Sequence, residues 1–538
     1  MAADTKPRES WGTRLGVIMA VMGSAVGLGN FLRFPGLAAK YEGGAFMIPY
    51  FIALFLLGLP LAWAEWAMGR YGGARGHSST PGIYRAIWPR KFSPYLGVLG
   101  MLVPVGIYMY YVVIEAWCLA YAWFFLTGAM ADLGRQAAMP GAGVSKQAYV
   151  DFFNNFVGIS DNGQSFAMTS SHEAALLFVV ICFVLNFWLI YRGLSKGIEK
   201  FCLIAMPALV VCALLVLVRV LTLDNVNAGL GFMWNLRTPN TGGFWESLAN
   251  PNMWLAATSQ IFFTLSVGFG IIITYASYLK RDDDVALSSL TSCAGNEFCE
   301  VALGGMITIP AAFIFLGSVE VTQAAESSFN LGFKTLPMVF ASMPLGQPVG
   351  FLFFFLLFLA AITSSISMLQ PAIALLEEGL GLNRKASVSM LGFVTLVGTL
   401  FVLYFSKSLV ALDTFDFWVG TFCIFILALY QTILFGWVLG VEKGMAEIER
   451  GAAIKVPRII GYVLKYVSST YLTVIFLAWL YVQITQEKDN YFAAIRDNQT
   501  VRYSVGFLVI VAVFFALMVG QSVRRWRKQE AKSQEVSR

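Results

Sequence analysis

The chain has 538 residues, of which 58% are hydrophobic and only 13% charged, and its formal net charge is +6. Soluble globular proteins carry about a quarter charged residues, so this composition excludes an ordinary soluble protein. No stretch interleaves basic with aromatic residues, which argues against a nucleic-acid partner. Apolar runs of about 20 residues recur along the whole chain, and they predict an all-α protein that crosses the lipid bilayer many times as a single domain.

Residue types that would carry metal or redox chemistry are scarce. The seven cysteines include no Cys-x-x-Cys pair, and the only histidines are His77 and His172. This pattern argues against a transition-metal site, and no nucleophile–base motif indicates an enzyme. The first ten residues are polar, so the N-terminus is not expected to be a cleavable signal peptide.

Hydropathy and loop charge predict twelve spans with both termini in the cytoplasm. In chain order the spans lie at 13–38, 44–70, 91–127, 173–191, 196–222, 253–279, 284–317, 346–378, 387–406, 409–441, 458–484 and 502–524. Basic residues precede or open the first span at Lys6, Arg8 and Arg14, and others cluster at the loops after the second and fourth spans. Positive loops stay inside, which sets the orientation in an inner or plasma membrane.

The predicted domain has four parts, namely a cytoplasmic N-terminus at 1–12, a ten-helix core at 13–441, two additional helices at 442–524 and a cytoplasmic tail at 525–538. Long connections at 128–172 and 223–252 are expected outside, as a lid over a vestibule or as ordinary surface structure. A third segment, 318–345, is expected to form a re-entrant or capping loop.

The first span contains an unusual stretch, GSAVGLGN at 23–30, with three glycines among eight residues. Glycine is a poor helix former, and lipid cannot satisfy freed backbone groups, so a break here must be buried or line a cavity. Close helix packing through small residues is the alternative. The sixth span echoes the pattern, with SVGFG at 266–270 against AVGLG at 25–29. Interrupted helices at matching positions in two halves are typical of a transporter binding site.

Broken helices also indicate which ligands could bind. Half-helix N-termini favour a carboxylate, while unwound carbonyls and C-terminal ends favour a cation. Further neutral oxygens at mid-membrane come from Asn30, Thr264, Asn296, Thr363 and Ser364. Such ligands suit a hard monovalent cation better than a transition metal. Three functions remain open at this point: a secondary transporter, an ion channel, and an amino-acid sensor without flux.

Five motifs stand out along the chain: GSAVGLGNFLRFP at 23–35, GGAFMIPY at 43–50, EWAMGRYGG at 65–73, QIFFTLS at 260–266 and TSSI at 363–366. They resemble the neurotransmitter:sodium symporter family, specifically its bacterial amino-acid branch with the LeuT fold. The resemblance covers nearly the whole chain. It implies a 5+5 inverted repeat with the first and sixth helices broken, and amino-acid uptake driven by sodium through alternating access. It also allows a homodimer.

The same resemblance implies roles for individual residues. One sodium site would use Ala25, Asn30, Thr264, Asn296 and the substrate carboxylate. The second would use Gly23, Val26, Ala360, Thr363 and Ser364. Substrate would lie against Ala25, Gly29, Tyr111, Phe263, Ser266, Phe269, Ser364 and Met368. The outer gate would be Arg33 with Asp416, and the inner gate Arg8 with Glu378, near Tyr278 and Gln370.

Two positions refine the expected substrate and ions. Gly27 stands where the amine-transporting branch has an aspartate, which implies a substrate that brings its own carboxylate. Glu300 stands where chloride-dependent relatives have a serine, which implies transport without chloride. Because Ile107 and Met368 would line the far end of the pocket, neutral aliphatic or sulfur-containing amino acids are expected, and aromatic ones remain open. The other intramembrane acids, Glu65, Glu115 and Glu297, are assigned to structural networks.

Overall fold

The computed structural model describes residues 9–537, apart from 42, 137, 140–142, 145, 159–169, 237–243, 326, 328, 406 and 486–489. Its regular structure in these residues is helical except for one antiparallel hairpin, Ala138–Met139 with Gly143–Val144. The all-α fold class predicted from composition is therefore confirmed.

The helices follow the order of the predicted spans. The first half contains Arg14–Ala25, Gly29–Lys40, Gly44–Gly73, Thr80–Ile87, Ser93–Leu126, Ala129–Gln136, Lys146–Val157, Ser170–Tyr191, Leu194–Leu221, Val226–Trp234 and Phe244–Leu248. The second half contains Pro251–Leu265, Ile271–Ala276, Val285–Ala324, Asn330–Thr335, Leu336–Ser342, Gly346–Leu380, Arg384–Tyr404, Lys407–Glu449, Ile459–Thr485, Tyr491–Asp497 and Gln499–Ser537.

Nine helices among the described residues are long and apolar enough to cross a membrane, and ten if the bent pair Arg14–Ala25 and Gly29–Lys40 counts as one span. The fourth predicted span corresponds to the helix Ser170–Tyr191, whose apolar part Ala175–Tyr191 is shorter than these nine. The sixth is divided between Pro251–Leu265 and Ile271–Ala276, and neither piece is long enough alone. A multi-pass architecture is confirmed, while the count of twelve stays a prediction.

Both predicted breaks are present. We call Arg14–Ala25 with Gly29–Lys40 the first broken span, and its halves meet at an angle of 47°. The second broken span is Pro251–Leu265 with Ile271–Ala276. The Asn250 side chain caps the start of its first helix, and that helix ends at Ser266, which has a left-handed φ of 54°. Helices commonly begin and end in these ways, so the break is encoded locally.

Two long helices surround the breaks. Ser93–Leu126 is almost entirely buried, and Gly346–Leu380 packs along it and against the first half of the first broken span. The two helices carry Tyr111, Ser364 and Met368, all buried, toward the gap between the half-helices. Freed backbone groups at both breaks are thus enclosed by protein, as a membrane interior requires.

Candidate functional site

A small cavity lies between the two broken spans. Its lining includes all eight predicted substrate residues, namely Ala25, Gly29, Tyr111, Phe263, Ser266, Phe269, Ser364 and Met368, together with Ser24, Gly27 and Asn30. We call it the central cavity. The structure therefore brings the predicted set together from four helices distant in sequence, while the role of these residues as substrate ligands stays a prediction.

Glycines on the first broken span, which have no side chain, shape the central cavity. A Cβ on Gly27 would lie 2.9 Å from the Tyr111 hydroxyl, and one on Gly29 would lie 3.1 Å from the Phe263 ring. The rings of Phe263 and Phe269 contact each other edge to face at 5.8 Å. The Tyr111 hydroxyl and the Phe263 ring thus approach bare backbone.

The four predicted residues of the first ion set converge beside the central cavity. The side-chain amide of Asn296 lies 3.2 Å from the carbonyl oxygens of both Ala25 and Thr264. The Asn30 amide nitrogen donates to Thr264 Oγ1 at 3.2 Å and to Asn296 Oδ1 at 2.9 Å. Carbonyl, amide and hydroxyl groups without net charge thus converge at one point, and their oxygens are ligands that a hard monovalent cation prefers. The residues present therefore fit a sodium ion.

Glu300 lies directly behind this ion set and is fully buried. Its Oε1 accepts from Gln260 Nε2 at 2.8 Å, and its Oε2 accepts from Asn30 Nδ2 at 3.1 Å and from the Thr264 hydroxyl. Two of the predicted ion ligands are thus bonded to one carboxylate. Sequence reasoning found Glu300 but missed Gln260, although a glutamine within an apolar span was an available signal.

The second predicted ion set is also brought together, and its ligands are neutral. Ser364 Oγ lies 3.3 Å from the Gly23 carbonyl and 3.0 Å from the Ala360 carbonyl. Thr363 Oγ1 lies 3.1 Å from the same Ala360 oxygen. Val26 ends the adjacent half-helix in an extended conformation. Half-helix C-termini carry partial negative charge, so this set also fits a small cation.

The predicted outer gate residues have other partners in this structure. Arg33 Nη2 donates to Ser259 Oγ at 2.9 Å, and the guanidinium lies 4.8 Å from the Phe263 ring centre. Asp416 Oδ1 accepts from the Tyr110 hydroxyl at 2.6 Å. Arg33 therefore lies against Phe263, which lines the central cavity, and its pairing with Asp416 stays a prediction.

At the inner gate, Arg8 lies outside the described residues. Its predicted partner Glu378 accepts from the backbone nitrogens of Ser78 and Ser79 at 2.8 and 2.7 Å, and lies 2.6 Å from His77 Nδ1. The carboxylate therefore anchors the start of the helix Thr80–Ile87. Sequence reasoning missed His77 here, and its rarity in the chain was the available signal.

The two residues predicted near the inner gate do meet. Gln370 Nε2 donates to the Tyr278 hydroxyl at 3.0 Å, and Gln370 Oε1 accepts from Arg384 Nη2 at 3.3 Å. Arg384 also lies 3.4 Å from Glu377 and 3.8 Å from Glu9. Arg384, which sequence reasoning missed, therefore links the C-terminal part of the helix Gly346–Leu380 to Glu9.

Comparison with known proteins gives consistent matches along the chain. Residues 8–523 match the model of the sodium:neurotransmitter symporter family. An uncharacterised sodium-dependent transporter of Methanocaldococcus jannaschii is 28% identical, covering 96% of this chain and 98% of that protein. The sodium-dependent nutrient amino acid transporter 1 of Drosophila erecta is 27% identical, covering 83% and 73%. A crystal structure of MhsT in complex with L-phenylalanine matches with a TM-score of 0.72 and 28% identity, covering 87% of this chain and 99% of MhsT.

Proposed function

This chain belongs to the sodium:neurotransmitter symporter family, and we propose that it couples two sodium ions to the uptake of a neutral amino acid. As a family member it is a multi-pass, sodium-dependent membrane transporter and not an enzyme. One observation carries the finer proposal: Ala25 and Asn30 belong both to the lining of the central cavity and to the first ion set. A substrate carboxylate in the cavity could therefore complete the coordination of the ion.

The substrate class follows from the walls of the central cavity. None of its eleven lining residues carries a charge, so a substrate with a charged side chain would have no partner. Tyr111, Phe263, Phe269 and Met368 form the apolar part. Aliphatic and sulfur-containing amino acids therefore suit it, and the similarity to MhsT, whose structure holds L-phenylalanine, supports aromatic amino acids as well. Methionine and phenylalanine walls can adapt to several shapes.

The buried carboxylate of Glu300 supports transport without chloride. A sodium ion and the Glu300 charge offset each other through Asn30 and Thr264, so an external anion has no charge to balance there. In this scheme the cavity opens alternately to the two sides, and the cytoplasmic location of both termini follows from the basic inner loops. A homodimer is compatible with this scheme, which does not require one.

Reconstitution into liposomes tests the proposal. Labelled leucine, methionine and phenylalanine should accumulate under an inward sodium gradient and not with potassium on both sides. Replacing chloride with gluconate should leave uptake unchanged. Asn30→Ala should raise the half-saturating sodium concentration by roughly tenfold or more, since it removes one ligand and the amide that orients two others.

Each competing function gives a different result. Sodium-independent uptake would remove the coupling, and loss of uptake in gluconate would remove chloride independence. Ion flux without amino acid would indicate a channel, and sodium-dependent binding without flux would indicate a sensor.

A further inference from the structure

A second buried carboxylate lies next to the second ion set. Glu115 is fully buried on the helix Ser93–Leu126, and its Oε2 accepts from the Ser365 hydroxyl at 2.5 Å. Ser365 directly follows Thr363 and Ser364, two members of that set. Glu115 also follows Tyr111 by one helical turn, so the two side chains lie on the same helix face. That face packs against the Gly346–Leu380 helix.

Each hydrogen bond of Glu115 in the structure is one that its carboxylate oxygens accept. Asn186 Nδ2 donates to both of its oxygens, at 3.0 and 3.3 Å, and Ser365 donates to one. A distance of 2.5 Å between hydroxyl and carboxylate oxygens is typical of a charge-assisted bond.

No positive side chain balances this charge within the part of the chain that the structure describes. The ion pairs there do not include Glu115. The titratable groups that interact electrostatically with the Glu115 carboxylate are two phenols and two thiols, those of Tyr108, Tyr111, Cys118 and Cys182. A buried ionised carboxylate without a counter-charge is costly, and so is a buried cation among neutral ligands.

We propose that Glu115 is a positioning residue for the second sodium ion, which it stabilises by its charge without being a ligand. The inference rests on the proposed function, because it requires a cation at the second set. Each ion then has its own carboxylate: Glu300 is bonded to Asn30 and Thr264, and Glu115 lies beside the second set, where it is bonded to Ser365. The chain thus keeps both ion sites electrically neutral within the membrane.

The test measures sodium binding apart from transport. Purified wild-type protein and Glu115→Gln are titrated with sodium, without amino acid, while hydrogen exchange is followed in the helices Arg14–Ala25 and Gly346–Leu380. Glutamine keeps the shape, and the Ser365 hydroxyl can turn to accept from it. We expect half-saturating sodium to rise about tenfold, as for loss of a unit charge one or two helical turns away. Sodium-dependent amino-acid binding should also lose cooperativity.

Three variants separate charge from structure. Glu115→Asp keeps the charge and should restore sodium affinity to within about threefold of wild type. Ser365→Ala removes the hydrogen bond but keeps the charge, so its effect should be similarly small. Thr363→Ala removes a ligand of the same set and should weaken sodium binding at least as much as Glu115→Gln.

The outcomes distinguish the two proposals. A wild-type protein that shows no sodium response would overturn the proposed function itself. A sodium-responsive wild type with an unchanged Glu115→Gln variant would overturn only the role of Glu115. If Glu115→Gln does not fold, the comparison of Glu115→Asp with Thr363→Ala decides. Glu115→Asp that folds yet loses as much sodium affinity as Thr363→Ala would also overturn the role.

Discussion

The two breaks that enclose the central cavity are stabilised in different ways. In the first broken span, side chains satisfy the freed backbone nitrogens: Gly27 N donates to Asn30 Oδ1 at 2.8 Å, and Leu28 N donates to the Tyr111 hydroxyl at 3.1 Å. Both of these side chains also line the central cavity. The groups that hold this break open are therefore the same groups that would contact substrate and ion.

The second broken span depends more on backbone conformation. Ser266, Gly268 and Gly270 have positive φ angles of 54°, 76° and 80°. Gly268 N donates to Glu65 Oε1 at 3.0 Å, so a carboxylate outside the cavity completes the break. The comparison teaches that changes at the first break should alter binding with the fold retained, whereas changes at the second should alter the fold itself.

Gly270→Ala should have the largest effect on stability, because the backbone of the second break leaves no room for a side chain at this position. Residue 270 has a left-handed φ, and a Cβ there would lie 2.4 Å from the carbonyl oxygen of Gly100. Strain and overpacking should each cost about 1–3 kcal/mol. We expect little monodisperse protein by size-exclusion chromatography in detergent, and a lower unfolding temperature.

Gly506→Ala is the matched control, because nothing lies within 4 Å of a Cβ at that helical position. It should behave as wild type. A Gly270→Ala protein of normal yield and unfolding temperature would show that the second break is not fixed by its backbone.

Gly27→Ala should have a smaller effect on folding but a clear effect on binding. Its Cβ would lie 2.9 Å from the Tyr111 hydroxyl and 3.0 Å from Ser364 Oγ, which are side-chain atoms that can shift. We expect normal yield and a roughly 30-fold loss of amino-acid affinity, equivalent to about 2 kcal/mol. Equilibrium binding of labelled amino acid at saturating sodium provides the measurement.

A double variant sharpens this test. Tyr111→Phe removes the hydroxyl that the new Cβ would meet, so adding it to Gly27→Ala should cost less than the sum of the two single changes. Strict additivity would contradict direct contact between the two positions. A Gly27→Ala protein that does not fold would contradict the distinction between the breaks.

Local sequence predicted the positions of the breaks because glycine-rich stretches interrupt otherwise apolar spans. The residues of the central cavity were predicted through family resemblance, and the structure brings all eight together. The partners of the buried acids Glu65 and Glu115 were not predictable in this way. Glu65 reaches Gly268 across 203 residues, and Glu115 reaches Ser365 across 250. Hydropathy gives no information on such pairs, because each acid is a lone polar residue in an apolar helix and the partner depends on helix packing.

The smallest predicted effect is that of Glu65→Gln, which changes the acceptor of the hydrogen bond from Gly268 N. Glu65→Gln keeps an oxygen that can accept from Gly268 N, so the second break should retain its shape, and amino-acid affinity should fall less than about threefold. Glu65→Ala leaves that nitrogen without its acceptor and should lower the unfolding temperature, at a cost of about 1–3 kcal/mol. Thermal unfolding and equilibrium binding compare the two variants directly. A large binding loss in Glu65→Gln with unchanged unfolding would mean that the carboxylate charge acts on the cavity, and that the second break, like the first, combines backbone support with ligand chemistry.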